Sequence, residues 1–172
     1  MNLCLFDLDH TLLPLDSDHE FGEFIIRQGL VDGADYRRRN DAFYDDYLAG
    51  RLDIDAYVDF ATAPWRDRPA DELQRAMARF LDEVVRPMLM PRARALVQGH
   101  LDAGDLVAVV TATNDHVTRP IARLFGVQEL IATDLQRDAS GRVTGRIEGV
   151  PSFREGKVTR VRQWLAARGL AL

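Results

Sequence analysis

The sequence predicts an α/β fold, a three-layer core around a parallel sheet that is interrupted early by an all-helical insertion. Three observations predict it. Two runs, Asn2 to Leu8 and Leu106 to Thr111, are apolar without alternation, the pattern of strands buried on both faces. Helical patterns separate the strands, which implies right-handed βαβ units. Between the first strand and the next core helix, about seventy residues carry helical periodicity only, too many for a loop.

The first strand ends in acidic residues. Residues 16–86 then hold amphipathic stretches near Glu20 to Gln28, Asp35 to Ala49, Ile54 to Thr62 and Ala70 to Val85, with breaks at Gly29, Gly50 and the Pro64 to Pro69 region. The expected division is a discontinuous core, residues 1–15 and 87–172, and a helical cap, residues 16–86. A cap over the carboxyl end of the sheet would cover the place where open α/β sheets bind ligands. A helix over Arg92 to Ala103 should stop at Gly104, and one over Thr118 to Phe125 at Gly126. A weaker strand follows at Glu129 to Thr133. Residues Asp134 to Glu148 read as a hairpin turning at Ser140-Gly141. Ser152, with Glu155 three residues on, predicts a capping box and a helix to about Arg168.

The net charge of −5 and the lack of a basic stripe argue against nucleic-acid and membrane partners. No stretch approaches the roughly 20 apolar residues needed to cross a bilayer, and no basic flank precedes the opening apolar run as in a signal peptide. The single cysteine, Cys4, cannot form an internal disulfide, and its neighbours Leu3 and Leu5 predict a core position. The expectation is a cytoplasmic globular protein.

Asp7 and Asp9 sit at the end of the first strand. Residues two apart on a strand point the same way, so both carboxylates can face one site. Such a pair calls for a hard cation such as Mg2+ and suits phosphoryl transfer, one carboxylate attacking and the other moving a proton. A surface turn would read the same way. Thr111, followed by Ala112, Thr113 and Asn114, offers a hydroxyl and free N–H groups to an anion, although Thr113 or Asn114 as a helix cap explains the same string. Lys157 lies early in the last helix, against the helix dipole, which suggests a reach toward Asp7 and a phosphate; a solvated lysine is the plain alternative.

The string Phe6-Asp7-Leu8-Asp9-His10-Thr11-Leu12-Leu13 resembles the first motif of haloacid dehalogenase-type phosphatases, DxDxT. Val109-Val110-Thr111 with Ala112-Thr113-Asn114 resembles the second, and Glu155-Gly156-Lys157 the third. The helical insertion and the stretch Thr144 to Gly149 resemble the phosphoserine phosphatase-like subgroup. The resemblance implies a Rossmann-like fold and a phosphomonoester hydrolase in which Asp7 forms an aspartyl-phosphate and Asp9 is acid, then base. It also implies that Thr111 holds phosphoryl oxygens, that Lys157 positions Asp7, and that Mg2+ sits on the Asp7 carboxylate and the Asp9 main-chain carbonyl. Asp9 argues against dehalogenation, whereas DxD serves phosphomutases as well.

The family's fourth motif, an acidic pair on a strand flanking the first, is expected beyond Leu172. Without it the first strand becomes an apolar edge open to self-association, and the 172-residue chain alone is expected to bind Mg2+ poorly and turn over slowly. A non-catalytic phosphate-binding protein is the rival reading. The substrate should be a small phosphorylated metabolite. Asp16, Asp18 and His19 at the cap entrance, with Thr113 and Asn114, are the candidate substrate contacts, and the LLPLDSDHEF string resembles a bacterial branch to which histidinol-phosphate phosphatase activity is attributed. Histidinol phosphate, an amine without a carboxylate, is expected first and O-phosphoserine next. Arg37, Arg38 and Arg39 could meet a carboxylate, but they read more simply as a solvated helix face.

Overall fold

A computed structural model describes residues 2–172. Strand β1 (Leu3–Phe6) pairs in parallel with β2 (Leu106–Asn114), and β2 with β3 (Glu129–Thr133), in the order β1-β2-β3. Helices α1 (Ser17–Arg27), α2 (Gly33–Leu48), α3 (Ile54–Thr62) and α4 (Ala70–Phe80) lie between β1 and α5 (Pro91–Asp102). Helix α6 (Asp115–Leu124) joins β2 to β3. A two-stranded ribbon of β4 (Leu135–Arg137) and β5 (Val143–Ile147) precedes α7 (Glu155–Ala166).

The unbroken apolarity of β2 has a simple cause. Val107 and Val109 face the main core with Val97 of α5 and Val117 and Ile121 of α6. Ala108 and Val110 face the other way, onto Val161 and Leu165 of α7. Both faces are dry, so three layers follow from one strand's alternation. The main core continues into the inserted helices through Phe21, Phe24 and Phe80, with Phe21 edge-on to Phe80 at 5.0 Å.

Aspartates begin three of the inserted helices. Asp16, Asp32 and Asp53 each accept backbone N–H bonds of the first turn, which satisfies donors the helix itself leaves open. Gly145 sits at φ +85° where β5 crosses α3, and a Cβ there would overlap the Arg66 guanidinium, which is paired with Asp59 of α3. The guanidinium can swing aside, but the left-handed φ still favours glycine there.

Four expectations are corrected. The first strand stops at Phe6, not Leu8, because the chain breaks into an irregular turn over Leu8–Leu12 with His10 left-handed at φ 55°. The second strand runs on to Asn114, since the ladder continues beyond Thr111. The capping box at Ser152 is absent: Ser152 is buried, with its N–H on Thr133 Oγ1 and its hydroxyl donating to the Ile131 carbonyl, and α7 starts at Glu155. Cys4 is half-buried beside His100 and Asp105 rather than a core residue. Among the described residues nothing pairs with the outer side of β1, and Leu5 there is 39% exposed.

Candidate active site

The carboxyl end of β1, the turn that follows it, the end of β2 and the start of α7 converge under α1 and α2. They enclose a cleft of about 580 Å³ of empty space, part of it open to solvent. Asp7, Asp9, Asp16, Asp18, His19, Thr111, Thr113 and Lys157 all line it; Asn114 does not.

Asp7 is the first residue beyond β1. Its Oδ1 accepts from Lys157 Nζ at 2.9 Å, across 150 residues of chain, while its side chain stays open to the cleft. Lys157 is the third residue of α7, and the turn that aims it depends on Gly156. A Cβ on Gly156 would overlap the Pro151 carbonyl oxygen, a backbone atom that cannot swing away.

Asp9 turns inward instead of standing parallel to Asp7. Its Oδ1 accepts from the Ser17 N–H at 2.8 Å, and its Oδ2 from Thr113 Oγ1 at 2.8 Å and Thr111 Oγ1 at 3.4 Å. These donors favour the ionised form, but burial outweighs them and Asp16 adds like charge, so Asp9 is pushed up to about 6. The Thr111 hydroxyl is therefore engaged by Asp9 and by the Thr113 N–H at 3.2 Å rather than standing free for an anion.

Asp16 caps α1 through the N–H groups of Asp18 and His19. Asp18 is 8% exposed, and its Oδ1 accepts from Asn114 Nδ2 at 3.1 Å. Burial first, and Asp16 second, push Asp18 up to about 8, so it carries its proton at neutral pH. Asn114 is thus a buried brace and the cap of α6, accepting from the Val117 N–H. His19 meets Asp41 at 3.0 Å. Arg37 and Arg38 pair with Glu23 and Asp35 on the surface and Arg39 lies over Phe60, as a solvated face would.

Sequence reasoning missed the wall of the cleft. Asn40, Phe43, Tyr44 and Tyr47 of α2, with Tyr57 and Phe153, line it. The α2 residues are spaced i, i+3, i+4, i+7, one helical face, and an aromatic stripe with an asparagine at its head was the available signal. Four carboxylates face a single lysine in the lining, and no arginine lines it among the described residues. Asp7 and Asp9 offer oxygen only, the donor chemistry of a hard cation. Two protein donors are the number that Mg2+ takes when waters and a substrate phosphate complete its shell.

A model of the haloacid dehalogenase-like hydrolase family matches residues 4–172. The histidinol-phosphatase of Neisseria meningitidis serogroup C (strain 8013) is 44% identical over 171 residues, 99% of this chain and 77% of that protein. A crystal structure from Bordetella pertussis Tohama I, of a protein with unknown function, superposes with a TM-score of 0.91 at 52% identity, covering 100% of this chain and 78% of that one. A phosphoserine phosphatase holding an analogue of its phospho-aspartyl intermediate reaches a TM-score of 0.65 at 20% identity, over 99% of this chain and 74% of that one, a likeness of fold.

Proposed function

This chain belongs to the haloacid dehalogenase-like hydrolase family, and from that premise we propose that it hydrolyses a phosphomonoester through an aspartyl-phosphate on Asp7, with histidinol phosphate as substrate. The observation that carries the reading is the 2.9 Å pair of Lys157 Nζ and Asp7 Oδ1 at the mouth of the cleft. It leaves Asp7 Oδ2 to attack phosphorus while the lysine fixes the carboxylate's orientation. As the P–O bond to the substrate breaks, Asp9 gives its proton to the leaving oxygen. It then takes a proton from the water that cleaves the acyl phosphate, returning both aspartates to their starting states. Burial raises the Asp9 carboxyl, the direction a proton donor needs. Mg2+ would be held by the Asp7 carboxylate and the Asp9 main-chain carbonyl, where it supplies charge neutralisation to the phosphoryl oxygens.

The acidic and aromatic lining of the cleft supports the substrate. Asp16 and Asp18 with Phe43, Tyr44, Tyr47 and Tyr57 suit an ammonium and a flat aromatic ring. O-phosphoserine would bring a carboxylate toward four acids with no arginine to receive it. The similarity to the Neisseria protein points the same way. A cytoplasmic location fits this reading, and no helix of the described residues is long and apolar enough to cross a membrane.

Phosphate release from histidinol phosphate and O-phosphoserine, with and without Mg2+, tests it. Slow Mg2+-dependent turnover favouring histidinol phosphate is expected of the 172-residue chain, whose cation would have only Asp7 and Asp9 as protein donors, with a loss of at least about 1,000-fold in Asp7→Asn. Turnover surviving that substitution overturns the nucleophile, and a preference for O-phosphoserine overturns the substrate.

A further inference from the structure

A second cluster of ligating groups lies at the other end of β1, remote from the cleft. Cys4 comes from β1, His100 from the last turn of α5, and Asp105 from the residue that enters β2. The register Leu3↔Leu106 and Cys4↔Val107 brings Asp105 beside Cys4, and a left-handed Gly104 returns the chain so that the Asp105 N–H bonds the His100 carbonyl at 3.0 Å. Cys4 Sγ lies 3.2 Å from His100 Nδ1, His100 Nδ1 lies 3.0 Å from Asp105 Oδ2, and Sγ to Oδ2 is 3.9 Å.

We propose that Cys4, His100 and Asp105 form a binding site for a borderline-soft divalent cation, Zn2+ in the first instance, which clasps the edge strand β1 to the α5–β2 junction. Three features carry the argument. The first is geometry. Tetrahedral zinc bonds of about 2.3 Å to sulfur and about 2.0–2.2 Å to nitrogen or oxygen set ligand atoms about 3.4–3.6 Å apart. Each observed separation is within about 0.4 Å of that, a change that small side-chain torsions supply.

The second is the proton count. One ring nitrogen faces both the sulfur and the carboxylate oxygen, and it can carry only one proton, so either tautomer leaves one of the two contacts poorly served. A cation at the shared focus satisfies all three atoms. It displaces the thiol proton to solvent, and a dication with one thiolate, one carboxylate and a neutral imidazole sums to zero charge.

The third is preorganisation. Asp105 Oδ1 is occupied by the Asn2 N–H at 2.6 Å and Asn2 Nδ2 at 3.1 Å, which fixes the carboxylate with Oδ2 toward the cluster. The Asp105 side chain is buried while His100 is 35% exposed, so a fourth position can be filled by water. Sulfur and imidazole ligands separate this site from the all-oxygen Mg2+ site of the cleft.

Cys4 is the one cysteine of the chain, so thiolate-to-metal charge transfer reports this site alone. Titrating the full reduced chain with Cd2+ or Co2+ should give a thiolate band that saturates at one equivalent. Cys4→Ser should abolish it, His100→Gln and Asp105→Asn should each weaken binding by at least about tenfold, and Asp7→Asn in the cleft should leave it unchanged. Zn2+ should raise the unfolding midpoint of the wild-type chain and not of Cys4→Ser. Absence of the band at stoichiometric metal, or a band undiminished in either His100→Gln or Asp105→Asn, overturns the three-ligand site.

Discussion

Asp18→Asn should stabilise the protein while weakening its substrate site. In the unfolded chain Asp18 ionises near 3.8, whereas in the fold it holds its proton to about 8. At pH 7 the wild-type chain must therefore take up a proton on folding, at a cost of about 1.36 kcal/mol for each of the 3.2 pH units between 3.8 and 7, or about 4 kcal/mol at most. Asparagine never ionises, and it retains an oxygen for Asn114 Nδ2. A gain of about 2–4 kcal/mol is expected at pH 7, which for a domain of this size raises the unfolding midpoint by about 4–16 °C.

The sign fixes the pH profile. A carboxyl raised in the fold contributes most below its unfolded value, and that contribution is lost as pH climbs toward the folded one. Urea unfolding of both proteins should therefore coincide near pH 4, diverge by about 1.4 kcal/mol per pH unit, and level off above about pH 8. If Asp18 receives the substrate's ammonium, the more stable variant should show a raised KM with kcat little changed, the trade of stability for binding expected at a functional site. A variant less stable than wild type at pH 7, or a difference flat in pH, would refute the reasoning.

Other outcomes follow from the same geometry. Lys157→Met removes the ammonium held 2.9 Å from Asp7 and should lower kcat by about 10²–10³, or roughly 3–4 kcal/mol, in initial-rate assays; a loss under tenfold removes the lysine from the mechanism. Gly156→Ala forces a methyl against the Pro151 carbonyl, so it should cost about 1–3 kcal/mol in urea unfolding and lower kcat by shifting Lys157; unchanged rates would show that this close approach does not aim the lysine. His116, buried and stacked on Trp65 at 4.2 Å, is pushed down to about 4, so its contribution is complete above 6.5 and lost as pH falls toward 4, about 3 kcal/mol in all. Asp9 and Asp18 both change in the opposite sense over that window, so the acid-side decline should emerge clearly only when both are replaced by asparagine, and its absence there would contradict the histidine assignment. Self-association through the open edge of β1, followed by light scattering, should give a wild-type oligomer that Leu5→Lys dissociates; a wild-type monomer at high concentration removes that contact.

What the sequence revealed, and what it hid, divides along physical lines. Periodicity is local, and it located every strand of the sheet and every helix to within a few residues, because Val107 to Val110 bury both faces and the inserted helices keep an apolar face between breaks at Gly29, Gly50 and Pro64 to Pro69. The Lys157 oddity was also local, an ammonium at the wrong end of a helix dipole, and its explanation is the carboxylate it meets. What stayed hidden is set by chain-distant packing. Ser152 and Glu155 spell a capping box, yet the Thr133 hydroxyl and the Ile131 carbonyl compete for Ser152 and win. Asp9 was expected to stand beside Asp7, but Ser17, Thr111 and Thr113 turn it inward. Cys4 looked like core because nothing in its neighbourhood announces His100 or Asp105, about a hundred residues away.

The cleft's charge distribution also bears on how a phosphatase can hold a dianion among four carboxylates. At the phosphate end Asp7 is paired with Lys157 and Asp9 is spread over three donors, so a bound cation would leave that end net positive toward phosphoryl oxygens. Asp18 is neutral at pH 7, and Asp16 accepts from two N–H groups at the start of α1. The carboxylates are thus largely quenched before a ligand arrives, which avoids repelling the phosphate on approach. A substrate ammonium against Asp18 would draw off its proton and create a buried ion pair only on binding. A tail without a cation cannot drive that ionisation, and one whose ammonium stands beside its own carboxylate drives it less, so selection would draw on the proton Asp18 gives up as well as on the shape of the pocket.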